Sequence, residues 1–189
     1  MNVEDTDSEQ ENTGRYTARS TQRKLTNSTT SPISLITTKT WQYFAETMKS
    51  VGVKPIQALW NVSSVRATQA FVDMGIFAEP VYCELALTED WLLSGHPGTV
   101  KGMQAFLDFF PQKQNWQWSV LCVGGNLFPL IAAAIERGGH ISIGLGDYPY
   151  SELERPTNAR LVSRVAQIAR EMGREVATPK EARQMLGLE

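Results

Sequence analysis

The residues best suited to chemistry lie between Gly124 and Asp147. Asp147 closes the run HISIGLGD, an apolar strand pattern that ends in glycine and a carboxylate. Parallel α/β folds place functional groups at the C-terminal ends of strands, so Asp147 is the leading functional candidate. Upstream, Gly124-Gly125-Asn126 joins another apolar strand to a helix. A glycine turn of this kind directs backbone N–H groups outward and suits a phosphate; the simpler reading is a tight turn with Asn126 as helix cap. The two histidines, His96 and His140, are far apart in sequence. His96 reads as a solvated loop residue between glycines, and His140 as a structural residue opening the last strand. Neither has a partner at metal-ligand spacing, so no metal ligand is assigned. Cys83 and Cys122 fall in strand patterns and read as small buried thiols of a reducing compartment, with the cytoplasm as default location.

These residues need a scaffold, and the pattern around them is regular. The segment WSVLCVGG, NLFPLIAAAIERGG, HISIGLGD reads as strand, glycine turn, helix, glycine stop and strand. The same beat runs upstream. An apolar run at 33–36 precedes a helix capped by Thr38 or Thr40 and running to Ser50, with Trp41, Phe44, Ala45 and Met48 on one face. A strand at 56–60 leads to a helix capped by Asn61 and stopped by Gly75. A strand at 81–87 precedes a helix at 99–110, and a strand at 118–123 precedes a helix at 126–137. The last strand spans 140–145, and its helix spans 157–172, with Leu161, Val162, Val165, Ile168 and Ala169 as its apolar stripe. Thr178-Pro179 opens a short terminal helix with Glu181 in its first turn. Of the tryptophans, Trp60 and Trp91 fall at strand tops; the others read as core or edge cover.

Strands alternating with helices imply a parallel sheet with right-handed crossovers. An open doubly wound sheet and part of a (β/α)8 barrel both satisfy that pattern. No GxGxxG follows the first strand, which argues against a dinucleotide fold. Residues 1–31 are rich in Ser, Thr, Asn, Gln and mixed charge, and read as a disordered tail ahead of one domain at 32–189. The hydrophobic fraction of 42% is that of an ordinary globular protein, and the net charge of −2 gives no footprint for nucleic acid. No run reaches the roughly 18–20 apolar residues of a membrane span.

The strings WSVLCVGGNLFPL and ERGGHISIGLGD, followed by TNARLVSRVAQIAREMGREVATPKEARQMLGL, resemble the β-keto acid cleavage enzymes, of which the 3-keto-5-aminohexanoate cleavage enzyme is the best known. Gly-Gly-His before the last strand, Gly-Leu-x-Asp at its end, Asn158 in the next helix and GREVATPKEAR match in spacing. The resemblance covers residues 33–188. It implies the C-terminal half, strands four to eight, of a (β/α)8 barrel. It also implies a reaction: zinc polarises a β-keto acid, which condenses with acetyl-CoA and yields acetoacetate and a new CoA thioester. The resemblance gives Asp147 a part in acid–base chemistry and sets Gly124, Gly125 and Asn126 near the CoA.

The departures fall on the site itself. The family's last strand reads His-Val-Arg-Val-Gly-Leu-Glu-Asp; here Ser142 holds the arginine position, and Gly146 the position of the glutamate that ligates zinc. Ile56, Gln57 and Ala58 stand where the family carries acidic residues, and Leu127 stands for a glutamine. The family's His-x-His is not in this sequence. The expectation is therefore a truncated member with a degenerate site. The alternatives are a half-barrel subunit completed by a partner chain, and a non-enzymatic interaction module. An open barrel edge implies self-association or a covering partner.

Overall fold

The computed structural model describes residues 38–89, 92, 95–113 and 115–188. The expected tail at 1–31, the apolar run at 33–36 and Trp91 lie outside them. Along the chain come α1 (Thr38–Ser50), β1 (Ile56–Leu59), α2 (Val62–Asp73), β2 (Val81–Thr88), β3 (His96–Pro97), α3 (Val100–Leu107), β4 (Trp116–Val123), α4 (Phe128–Glu136), β5 (His140–Ile141), a 3-10 turn (Ser151–Leu153), α5 (Asn158–Glu171) and α6 (Pro179–Met185).

All strand pairs are parallel, in the order β1-β2-β4-β5, with the two-residue β3 pairing β2. Each longer strand joins the outer side of the one before it. A doubly wound sheet reverses direction at a switch point; this sheet advances one way, as the wall of a barrel does, and stays open. The core lies between sheet and helices. Alternate residues Val81, Cys83, Leu85 and Leu87 of β2, and Trp116, Trp118, Val120 and Cys122 of β4, bury against Val65, Met103, Phe106, Leu130 and Ala134 from the helices. The other face is more polar. Tyr82, Glu84 and Gln117 are half-buried there, and the Tyr82 hydroxyl donates to Ser119 Oγ at 3.0 Å.

Local chemistry explains the element ends. Asn61 and Ser64 form a reciprocal capping box at the start of α2, and Thr178 and Glu181 form another at α6. Thr99 and Thr157 cap α3 and α5 by accepting from Gly102 and Arg160 N–H. Trp118 packs its ring over Gly139 so closely that an added Cβ would sit 2.2 Å from it, so the Gly138-Gly139 stop also serves the core.

Several expected bounds move. β4 begins at Trp116 rather than at 118, because Val81 and Tyr82 extend the ladder to Trp116 and Gln117. α4 begins at Phe128 rather than at 126: Asn126 accepts from Phe128 N–H at 2.8 Å in a turn, and Leu127 takes the cap position without a side-chain bond. The last strand ends at Ile141, not at 145. After Ser142 N–H bonds Val120 C=O at 3.0 Å, Asn158 Oδ1 takes Leu145 N–H at 2.9 Å and draws the chain off the ladder. On α1 the buried side is Trp41, Ala45 and Met48, whereas Phe44 stays exposed; on α5 Val162 is likewise exposed beside buried Leu161.

Leu85, with none of its surface exposed, sits mid-ladder. Leu85→Ala should lower unfolding stability by about 2–5 kcal/mol. A denaturant midpoint unchanged from wild type would contradict this account of the core.

Candidate functional site

Three strand ends are knitted together at the C-terminal edge of the sheet. Glu89, just past β2, donates its N–H to Val123 C=O at 3.0 Å, and Gly124, just past β4, donates to Asp147 C=O at 2.8 Å. The structure thus brings Gly124 and Asp147 together, although they come from different βα loops. Asp147 is half-buried, and burial pushes its carboxyl above the usual aspartate range. A carboxyl so placed accepts and returns a proton nearer neutrality than a solvated one.

Two further groups belong to this edge. Glu89 Oε1 accepts from Gly98 N–H at 2.7 Å, and the Glu89 side chain lies across Gly125. A Cβ at Gly125 would fall 2.5 Å from Glu89 Cγ and 2.8 Å from Cys122 Sγ, so only glycine leaves room for this approach. The Cys122 thiol is pushed up to about 11, first by burial and then by the charge of Glu89, with Asp147 adding to it and the Gly125 N–H opposing. It therefore stays a thiol at neutral pH and is no nucleophile. Tyr150, almost fully buried, is raised to about 12, mainly by burial, with Cys122, Asp147 and Glu152 adding their charges against a hydrogen bond from Leu127. Sequence reasoning missed Glu89 and Tyr150. The signal for Glu89 was present, since it directly follows the apolar strand pattern of β2.

The turn at 124–126 offers few free amides. Gly124 N–H is engaged by Asp147, Gly125 N–H faces the Cys122 thiol, and Phe128 N–H is taken by Asn126 Oδ1. The Asn126 amide instead reaches outward, donating to Glu152 Oε1 at 2.7 Å. Trp60 stands at the top of β1, about one-third exposed.

The histidines are not where a metal needs them. His96 is no solvated loop residue: it pairs with Leu87 in β3, its ring sits 4.8 Å from that of Phe106, and its Nε2 is buried without a partner. His140 opens β5 opposite Ser119, three residues below the Cys122 row on which Leu87 lies. That offset is roughly 10 Å along the strand, too far for one shared ion. Burial lowers the His140 pKa, and the nearby Arg174 charge lowers it further. Ser142 and Gly146 add no ligand beside Asp147, and among the described residues no three His, Cys, Asp or Glu side chains gather to hold a metal ion. The residues described here do not fit zinc.

Both cysteines are almost fully buried, so a thiol reagent at pH 8 should label neither in the native chain and both after denaturation. Rapid native labelling would contradict the packing at Cys122. Because Asp147 holds its proton to higher pH when folded, its contribution to stability falls as pH rises from the ordinary aspartate range through its folded pKa. Asp147→Asn should therefore gain on wild type between acid and neutral pH. Denaturant midpoints at about pH 3 and pH 7 read this directly, and a variant that loses ground over that interval would contradict it.

Against this geometry stand the known proteins. A family described as beta-keto acid cleavage enzyme matches residues 9–188. The match begins inside the segment that composition reads as a tail. The chain is 31% identical over 147 residues to a 3-keto-5-aminohexanoate cleavage enzyme of Acetoanaerobium sticklandii, covering 77% of this chain and 52% of that one. It is 29% identical over 154 residues to the protein of the same name from Fusobacterium nucleatum, covering 80% and 54%. A 3-dehydrocarnitine:acetyl-CoA trimethylamine transferase of Rhizobium meliloti is 28% identical over 145 residues, covering 76% and 47%. The chain spans about half the length of the curated relatives it matches. Parallel strands advancing one way and this match over nearly the whole chain agree: the chain belongs to the beta-keto acid cleavage enzyme family.

Proposed function

We propose that the chain is a family member that binds acetyl-CoA or another acyl-CoA at its strand tops and has a degenerate zinc site. Relatives named as acetyl-CoA transferases support the ligand class. The observation that carries the degeneracy is Gly146. It stands beside Asp147 at the position where the family's sequence pattern carries a glutamate, and a Cβ there would meet nothing within 4 Å. There is room for a ligating side chain, and none is present. Ser142 likewise offers a hydroxyl where a guanidinium would grip a carboxylate with two parallel bonds. Asp147, half-buried with a raised pKa, keeps the means to move a proton, and Gly124 holds its backbone in place. In relatives that bind zinc, the metal would polarise the keto group; nothing among the described residues takes that role.

Purified full-length chain, incubated with acetyl-CoA and 3-keto-5-aminohexanoate or other β-keto acids, is expected to form no acetoacetate and to carry zinc well below one ion per chain. Sustained acetoacetate formation or stoichiometric zinc would overturn the proposal.

A second reading follows from the sheet edge. Among the described residues β1 pairs only with β2, and its Ile56 is 58% exposed. An unpaired parallel edge with exposed apolar side chains suits a partner chain, either another subunit that completes the barrel or a non-enzymatic partner. Light scattering on the purified chain should then give an assembly larger than a monomer at micromolar concentration. A strictly monomeric, cooperatively folding chain would count against this reading.

A further inference from the structure

One cavity remains unassigned. It measures about 580 Å³, within the roughly 300–1,000 Å³ of small-molecule sites, and opens between the start of α4, the 3-10 turn and α5. We propose that it holds the phosphorylated adenosine end of an acyl-CoA, with Arg160 and Arg164 as the phosphate contacts. This rests on the acyl-CoA reading above and adds to it a place and a set of residues.

The charges come first. Arg160 and Arg164 lie four apart on α5, so both line the cavity from the same side of the helix. Neither guanidinium is paired with a carboxylate among the described residues, although Glu152 and Glu154 share the wall. Glu152 accepts from the Asn126 amide instead, and Arg164 Nη1 donates only to the neutral Gln167 at 3.2 Å. Guanidinium stays charged at any working pH, and its planar fork matches phosphate oxygens. The turn at 124–126 cannot do this work with its own amides, because those of Gly124 and Gly125 already face partners inside the protein.

The remaining wall is apolar. Phe128, Leu153 and Pro156 give a surface on which a purine can lie. The loop carrying Leu153 is held in an uncommon shape: Tyr150, Glu154 and Arg155 all adopt positive φ, and Tyr150 is locked by near-complete burial. The two carboxylates in the wall oppose a bare anion. They favour a ligand that also brings donors, namely ribose hydroxyls and a purine amine, so inorganic phosphate alone should bind poorly.

The cavity is joined to the carboxylate by a short stretch of chain. The Asn126–Glu152 bond ties its rim to the glycine turn. Asp147 and Glu152 are five residues apart, which limits their Cα separation to about 17 Å, a reach suited to the long pantetheine arm. On this assignment the pantetheine arm runs from the cavity toward Asp147.

Calorimetry on the full chain, with 3′,5′-ADP, CoA and inorganic phosphate as probes, tests the assignment. Both 3′,5′-ADP and CoA should bind and compete, with phosphate at least tenfold weaker than 3′,5′-ADP. Arg160→Ala/Arg164→Ala should weaken 3′,5′-ADP and CoA at least tenfold while leaving the thermal midpoint in place, since both side chains are exposed. Arg160→Lys/Arg164→Lys should recover part of the loss. If CoA binds wild type and the double alanine variant equally, the cavity assignment falls and the acyl-CoA reading stands. If neither CoA nor 3′,5′-ADP binds wild type, both fall.

Discussion

The parallel ladder between β2 and β4 is the constraint on which the rest depends. Eight residues pair with eight in unbroken register from Val81 and Trp116 to Thr88 and Val123. A one-residue slip would turn Leu85 and Val120 out of the core and bring Glu84 and Ser119 into it. Register therefore sets the packing of α2, α3 and α4. It also fixes which residues emerge at the C-terminal edge, since Glu89 and Gly124 leave neighbouring strands side by side. The Glu89–Val123 and Gly124–Asp147 backbone bonds extend that ladder into the loops. The site inherits its geometry from the pairing beneath it.

That inheritance gives the site its electrostatic character. Glu89 and Asp147 both face Cys122, and no cation among the residues of that edge offsets them. Burial raises Cys122, Tyr150 and Asp147 alike, and neighbouring carboxylate charge adds to the first two. Positive charge is found farther out, on Arg160 and Arg164. The Asn126–Glu152 bond links the glycine turn beside Asp147 to the cavity wall that carries these arginines.

The fold was legible in the sequence where local chemistry decides it. Asn61, Thr99, Thr157 and Thr178 announce helices that start where they say, because a cap needs only its own first turn. Strand β5 was read too long because its end is set by Asn158, thirteen residues downstream of Leu145, and no pattern within 140–145 records that bond. His96 was read as solvated because glycines flank it; its pairing with Leu87 and its contact with Phe106 come from tertiary packing. Asp147 and the glycine turn could be named from position alone. Their junction, and the place of Glu89 across Gly125, depend on which strands are neighbours, which a single strand's pattern does not state.

The short outer strands carry a consequence for the chain in a crowded solution. β1 has four residues and β5 two, against eight in each central strand. An exposed sheet edge is a template for growth, and its hazard rises with the number of backbone groups it leaves in a row. Here the described ladder tapers on both sides, and past β5 the Asn158 side chain takes the Leu145 N–H. Short outer strands leave few backbone groups in a row, which limits edge-to-edge fibre growth from the described sheet.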